Sequence, residues 1–388
     1  MPNGWKELPL GKLISQKKER YCADIPDDVE IFSVTNEEGF VRSEEFFKKQ
    51  VFSKDITGYK IVRKGDFAYN PSRINVGSVA LLSDIEIATV SPIYEVFRPN
   101  ENIIGEYLLY FLKSRVGLNL INHYSEGAVR HSLKYDGLSR IPIPLPPLPL
   151  QQKIVEILEE ADSLRKLRKQ ADEKMKDLTP SLFVEMFGDP TTNPKRWGVK
   201  KLGEIAEIKS GGTPSRKREE YFKGAIPWVT SVSLSKPYLT ADDAKELITQ
   251  DAIENSATKL IGRKSVLFGN RVCVGNVAIN LCNICFSQDV LAILYHEDFL
   301  VPEFLWFYLL QKKVYFERIT RGSTIKGITV STLQNTVIPL PPLPLQQEFA
   351  ERVKEIEAEK QRQAESKKKL DELFNSLMQR AFTGELVA

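Results

Sequence analysis

The chain has 388 residues, 42% of them hydrophobic and 27% charged, with a formal net charge of +3. That length suits two ordinary domains, and no apolar run reaches the ~18 residues of a membrane span, so a membrane role is not expected. The stretch from Met1 to Arg20 has no apolar signal core, and four cysteines in so long a chain are expected as reduced thiols, which together imply a cytoplasmic setting.

From Trp5 to about Ile143, short apolar or alternating runs recur at Val29–Val34, Lys60–Val62, Phe67–Tyr69, Ser78–Leu82, Ala88–Val90 and Ile93–Phe97. Gly, Asn, Pro and Asp punctuate them, which predicts strands and turns. A helix is predicted from Gly105 to Leu118, where Tyr107, Leu108, Phe111 and Leu112 fall at helical spacing. The mixture defines an α+β domain.

Pro144 to Gln152 reads PLPPLPLQQ. Proline at alternate positions fixes φ and removes backbone donors, so the strip is extended. Pro149 falls where a helix N-terminus tolerates proline, and the Gln pair opens a helix from about Leu150 to Leu178. Its apolar positions are Ile154, Ile157, Ala161, Leu164, Ala171, Met175 and Leu178. Thr179-Pro180 ends it and restarts a short helix over Ser181–Phe187, and Gly188 to Pro194 is a linker.

Trp197 to about Ile338 repeats the plan. Trp5, Leu10 and Gly11 match Trp197, Leu202 and Gly203; the string from Lys64 resembles that from Lys264; Val76-Gly77-Ser78-Val79-Ala80 resembles Val274-Gly275-Asn276-Val277-Ala278; and the helix from Gly105 resembles that from Pro302. PLPPLPLQQ then recurs, unchanged, from Pro339 to Gln347, which marks an internal duplication. A second long helix follows from about Leu345, with Phe349, Val353, Ile356, Leu370, Phe374, Leu377 and Ala381 in phase and a polar middle at Lys360, Gln363 and Lys367. A helix of roughly 30 residues is about 45 Å long and needs a partner in water. The other copy is the obvious one, paired antiparallel as a coiled coil, because the first helix must hand over to the second domain at its far end.

This order of parts resembles the DNA specificity subunit of Type I restriction–modification systems. The resemblance rests on the two IPLPPLPLQQ-type boundaries, Leu182-Phe183-Val184-Glu185-Met186-Phe187-Gly188-Asp189-Pro190, and Arg380 to Leu386 near the end. Gly211-Gly212-Thr213-Pro214-Ser215, Ile226-Pro227-Trp228-Val229, Tyr69-Asn70-Pro71-Ser72-Arg73 and Gly322-Ser323-Thr324 add to it. It implies two tandem α/β target-recognition domains, at 1–143 and 189–338, with a hinge and central spacer helix at 144–188 and a hinge and C-terminal spacer helix at 339–388. It implies a non-catalytic reader of a split double-stranded DNA target, one half per domain, which directs adenine methylation and restriction by other chains. The implied partners are two methyltransferase subunits and motor/nuclease subunits. S-adenosylmethionine, ATP and magnesium are expected on those partners, and no cofactor or metal on this chain.

Sequence readout needs hydrogen-bonding groups at base edges, with Lys and Arg positioning the backbone. Candidates in the first domain are Lys60, Arg63, Asn70, Arg73, Asn75, Arg130, His131 and Lys134. In the second they are Arg216, Lys217, Arg218, Arg271, Asn276, Arg321 and Lys326. Each has a plain alternative reading as solvated surface. With a 45 Å rod between readers, the half-sites fall on the order of a dozen base pairs apart, near one duplex turn.

Other chemistries find less support. Tyr69 to Ser72 is like an amino-methyltransferase motif, but Ser72 stands where an aromatic is required and no glycine-rich cofactor loop accompanies it. Cys282 and Cys285, with Cys273, have a zinc-like spacing without a fourth ligand, and are read as buried free thiols. Glu207-Ile208-Lys209 lacks the paired Asp of a nuclease and is read as a surface strand end. His123, His131 and His296 form no triad, and no P-loop is present. The alternatives to a DNA reader are an enzyme with an unrecognised nuclease or methyltransferase site, and a coiled-coil scaffold that binds protein only.

Overall fold

A computed structural model describes residues 4–22, 30–46, 57–125, 132–321 (the Arg321 side chain excepted) and 327–387. The chain forms two units, Met1–Gln170 with Ala364–Ala388, and Ala171–Gln363.

In the first unit one sheet has the order Ile14–Lys17, Glu95–Pro99, Phe67–Tyr69, Val79–Leu81. A second has the order Gly39–Arg42, Ile31–Thr35, Ile87–Val90, Lys60–Arg63. The two-residue period of a strand divides its side chains between two cores. Phe67, Tyr69 and Phe97 face the core shared with the helices, while Ala68 and Val96 join Phe32, Val34, Val62 and Val90 in the other.

The second unit repeats both sheets. One runs Ala206–Ser210, Val290–Tyr295, Val266–Gly269, Val277–Asn280, and adds Tyr238–Leu239. The other runs Glu246–Ile248, Ile226–Val229, Ile284–Phe286, Leu260–Ile261. The parallel pairing of Ile31–Thr35 with Ile87–Val90 recurs between Ile226–Val229 and Ile284–Phe286. Val266 and Phe268 face one core and Leu267 the other, as Phe67, Tyr69 and Ala68 do.

Each proline strip begins at the end of a short strand and runs into a long helix, so only its first part is extended. Pro142–Leu145 pairs antiparallel with Lys6–Pro9, and Val337–Pro339 with Val199–Lys201. The long helices start at Leu148 and Leu343, two residues before their sequence-based starts, because the Pro147 and Pro342 carbonyls already accept from the first helical N–H groups. Proline in the first turn costs no hydrogen bond there.

Behind each strip one glutamine is fully buried. Gln151 Oε1 accepts from Ile104 N–H at 2.9 Å, and its Nε2 donates to Asn102 O at 3.1 Å and Pro146 O at 2.9 Å. Gln346 repeats this with Val301 N–H at 3.0 Å, Phe299 O at 3.0 Å and Pro341 O at 2.8 Å. Ile104 and Val301 cap the helices Gly105–Lys113 and Pro302–Gln311. Each glutamine therefore ties the head of a long helix to an otherwise unpaired N–H at the start of a reader helix.

Each unit is completed by a helix end from elsewhere in the chain. In the second, Phe187 closes the helix Leu178–Phe187 and lies 4.9 Å from Phe304, with Phe183, Phe307 and Phe349 around it. In the first, Phe382 near the end of Leu343–Thr383 lies 5.4 Å from Tyr107 and 5.5 Å from Phe111. Tyr107 corresponds to Phe304, counting from the glutamine-bound caps.

Several sequence expectations need correction. The helix predicted from Gly105 to Leu118 is two helices, Gly105–Lys113 and Arg115–Tyr124. Ser114 is extended between them, donates to Phe111 O at 2.7 Å and caps Gly117 N–H at 3.0 Å. The strand expected from Ile93 begins at Glu95, after a turn in which Tyr94 N–H reaches Ser91 O. Val29 lies outside the described residues. On Leu148–Lys176 the buried apolar positions are Ile154, Val155, Leu158 and Ala161. Leu164 is 47% exposed and Leu178 44%. The head of the helix is buried against its own reader on a broad face, whereas further along only a narrow stripe is covered. Finally, Gly65 (φ +86°), not Lys64, corresponds to Lys264 (φ +68°), since their N–H groups donate to Leu82 O and Asn280 O at the same point of the two hairpins.

Candidate nucleic-acid interface

In each unit the strand hairpin of the first sheet ends in a loop at equivalent places, between Tyr69 and Val79 and between Phe268 and Val277. The loops share three constraints. The Pro71 carbonyl accepts from Leu133 N–H at 2.9 Å, and the Asn270 carbonyl from Ile328 N–H at 2.7 Å. Gly77 and Gly275 both adopt left-handed backbone, at φ +87° and +78°. A Cβ on Gly77 would stand 2.2 Å from Asn36 Oδ1, and one on Gly275 2.8 Å from Lys313 Cγ, so only glycine fits without displacement. Each loop also meets a helix start: Arg115–Tyr124 packs on the turn Ile74–Val76, and Lys313 Nζ donates to Asn276 Oδ1 at 2.7 Å.

Counting back from these glycines, Arg73 and Arg271 occupy the same position. Both are exposed, and among the described residues neither guanidinium has a hydrogen bond or ion pair. Asn75 lies half-buried two residues after Arg73, and Lys134 is exposed next to Leu133, on the flank of the first loop. Asn70 uses its Oδ1 to hold Ser72 N–H at 3.0 Å, which shapes the loop. Beside the second loop is an open cleft of about 350 Å³, lined by Arg271, Val272, Cys273, Val274, Asn276, Lys313, Glu317 and Thr320.

Four of the remaining candidates are engaged within the protein. Lys60 is turned inward to Tyr94 O and to Glu95 at 3.5 Å. Arg63 pairs with Glu19 through two nitrogens, Nε at 3.2 Å, and that hydrogen bonding holds the Glu19 carboxyl below its ordinary value. Arg216 forms a two-point pair with Glu246 while its guanidinium lies 4.4 Å from the Phe222 ring centroid and 5.5 Å from that of Trp228. Arg218 donates to Tyr221 Oη at 2.6 Å, whereas Lys217 between them is exposed. Arg216 and Arg218 thus border the second sheet and the turn before it. Arg321 ends the helix Lys313–Arg321. Arg130, His131 and Lys326 lie outside the described residues, as does Gly322-Ser323-Thr324.

Nothing in this geometry assembles a reaction centre among the described residues. No group of three His, Cys, Asp or Glu is placed to hold a metal ion. All four cysteines are free; of the three once grouped by spacing only Cys285 is buried, with Cys273 and Cys282 half-buried. Burial pushes the Cys285 thiol up to about 11 and raises Cys282 as well, which disfavours thiolate chemistry. Ser72 is exposed where a methyltransferase aromatic would stack on an extruded base, and Tyr69 is buried in the core. Glu207 and Lys209 pair with each other at 3.3 Å on the edge strand Ala206–Ser210. No described helix is long and apolar enough to cross a membrane.

The arrangement is a doubled recognition module, one pair of packed sheets with one loop tip, built twice. Comparison with known proteins agrees. The family model described as the Type I restriction modification DNA specificity domain matches residues 3–176 and again 194–373. The chain is 26% identical over 297 residues to the Type I restriction enzyme MjaIX specificity subunit of Methanocaldococcus jannaschii, covering 72% of this chain and 68% of that one. It is likewise 26% identical over 353 residues to the putative MjaX specificity subunit of the same organism, covering 88% and 82%. A chain solved in a study of complex assembly and conformational transition of the type I R-M system shares the fold, with a TM-score of 0.64, 21% identity and 100% and 99% coverage.

The chain therefore belongs to the family of the Type I restriction modification DNA specificity domain, and carries that domain twice. It is a DNA-recognition subunit of a Type I restriction–modification system, not the catalyst. Subunits of this kind bind DNA and work with methyltransferase and restriction subunits.

Proposed function

We propose that the chain reads a bipartite target in double-stranded DNA, one half through the loop tip of each unit. The observation that carries this is the repeated frame with different chemistry at its tips: Asn75 and Lys134 in one loop stand where Cys273 and Thr329 stand in the other. Different groups on one scaffold are what two unlike half-sites require. In this reading the helices Leu148–Lys176 and Leu343–Thr383 run antiparallel as a spacer that sets the gap between half-sites. Support comes from the first unit, where Arg165 Nε donates to Asp371 at 2.7 Å and its guanidinium lies 4.4 Å from the Phe374 ring centroid. Two methyltransferase subunits then dock, one per repeat, and motor/nuclease subunits join for restriction, in the cytoplasm. S-adenosylmethionine, ATP and magnesium are held by those partners.

Mapping methylated adenines in cells with and without this chain tests the reading. We expect one split motif with a fixed gap that disappears on deletion. A continuous motif, or no dependence on the chain, contradicts it.

A further inference from the structure

Resting on the DNA-reading function, we propose that Arg73 and Arg271 are paired phosphate anchors that hold each reader in register without choosing its sequence. The first argument is elimination. Of the described candidates, Lys60, Arg63, Arg216 and Arg218 already have partners inside their own unit. Asn70 and Asn276 each spend their Oδ1 inside the loop, on Ser72 N–H and Lys313 Nζ. Arg73 and Arg271 are exposed, and their guanidiniums are unpaired among the described residues; Lys134 and Lys217 are exposed as well, so the choice of the two arginines rests on their recurrence in both hairpin loops.

The second argument is placement. The same backbone bonds, Leu133 N–H to Pro71 O and Ile328 N–H to Asn270 O, and the same left-handed glycines, Gly77 and Gly275, fix both loops. Each arginine stands four residues before its left-handed glycine, although the first loop is one residue longer on the side of Pro71, and its head group is unpaired among the described residues.

The third argument is the division of labour between the two kinds of DNA contact. Contacts to phosphate position a protein and carry no sequence information, whereas base contacts must differ when the sequences read differ. Within these loops the arginine is shared and its neighbours diverge: Ile74 against Val272, Asn75 against Cys273, Ser78 against Asn276. A group common to both readers suits the part of DNA common to both half-sites, the phosphate backbone. Arginine recognises phosphate by a planar two-point hydrogen bond.

The test measures the affinity of the assembled methyltransferase complex for its duplex across a salt series, and its methylated motif, for wild type, R73A, R271A, the double variant and R73K. Each phosphate contact contributes about one unit to the slope of log affinity against log salt. We expect each alanine variant to lower that slope by about one, the double variant by about two, and the motif to stay unchanged. R73K should retain the wild-type slope. Loss of discrimination at one base pair of one half-site would overturn the proposal in favour of base reading, as would an unchanged slope in R73A and R271A. Both side chains are exposed, so an unaltered thermal transition separates these outcomes from misfolding. If wild type itself shows no salt-dependent DNA binding, the DNA-reading function fails rather than the assignment of these two residues.

Discussion

In the first unit Gln151 ties a long helix to its reader with three hydrogen bonds, and in the second Gln346 makes the same three to equivalent atoms. The second sheets of the two units are much less alike at their rims. The first carries the exposed Arg63–Glu19 pair, while the second carries Arg216 against Glu246, Phe222 and Trp228. A buried amide has few directions in which every donor and acceptor is satisfied, so its surroundings must repeat atom for atom. An exposed pair is worth a few tenths to about 1 kcal/mol and many alternatives serve as well. The duplication is therefore strict where polar groups are buried and loose where water can substitute.

The sharpest way to break that comparison is to remove the helix ends that complete each unit. Phe382→Ala should destabilise the first unit, and Phe187→Ala the second, each by about 3–5 kcal/mol as expected for a buried aromatic. Hydrogen exchange resolved by peptide should show lost protection confined to the matching unit: around Tyr107 and Phe111 for Phe382→Ala, around Phe304 and Phe307 for Phe187→Ala. Equal loss in both units from either substitution would show that the two are not separate.

A smaller effect sharpens the comparison from the polar side. Gln151→Leu and Gln346→Leu each remove the partner of one N–H and two carbonyls, one of those carbonyl bonds being fully buried. Each should cost about 1–3 kcal/mol in chemical denaturation. Because the bonds match, the two costs should agree closely. A cost in one copy and none in the other would mean that the shared geometry is not a shared constraint.

Much of the frame was legible because it is periodic or punctuated. The repeated PLPPLPLQQ marked both hinges, and alternating runs such as Phe67–Tyr69 marked strands whose side chains do divide between two cores. What escaped the sequence depended on partners distant in the chain. The burial of Gln151 and Gln346 is invisible without Asn102 and Phe299 beside them. Ser114 was a readable cap, a serine three residues before Gly117, but the apolar run across it masked the break. The role of Phe382 in the first unit could not be inferred from local pattern, since Tyr107 and Phe111 stand far from it in sequence. In the candidate interface, charge and loop position picked out Arg73 and Arg271 together with residues such as Arg63 and Arg216. Only the positions of Glu19 and Glu246 separate those groups.

The central claim is that two independent readers share one frame, and exchanging one reader tests it most directly. Residues 1–143 would be replaced by the counterpart from another family member that retains aromatic docking positions equivalent to Tyr107 and Phe111, so that Phe382 still seats. Methylated adenines would then be mapped across the genome. The account predicts that one half of the motif changes while the other half and the gap between them stay as they were. A change in both halves, or in neither, would contradict it.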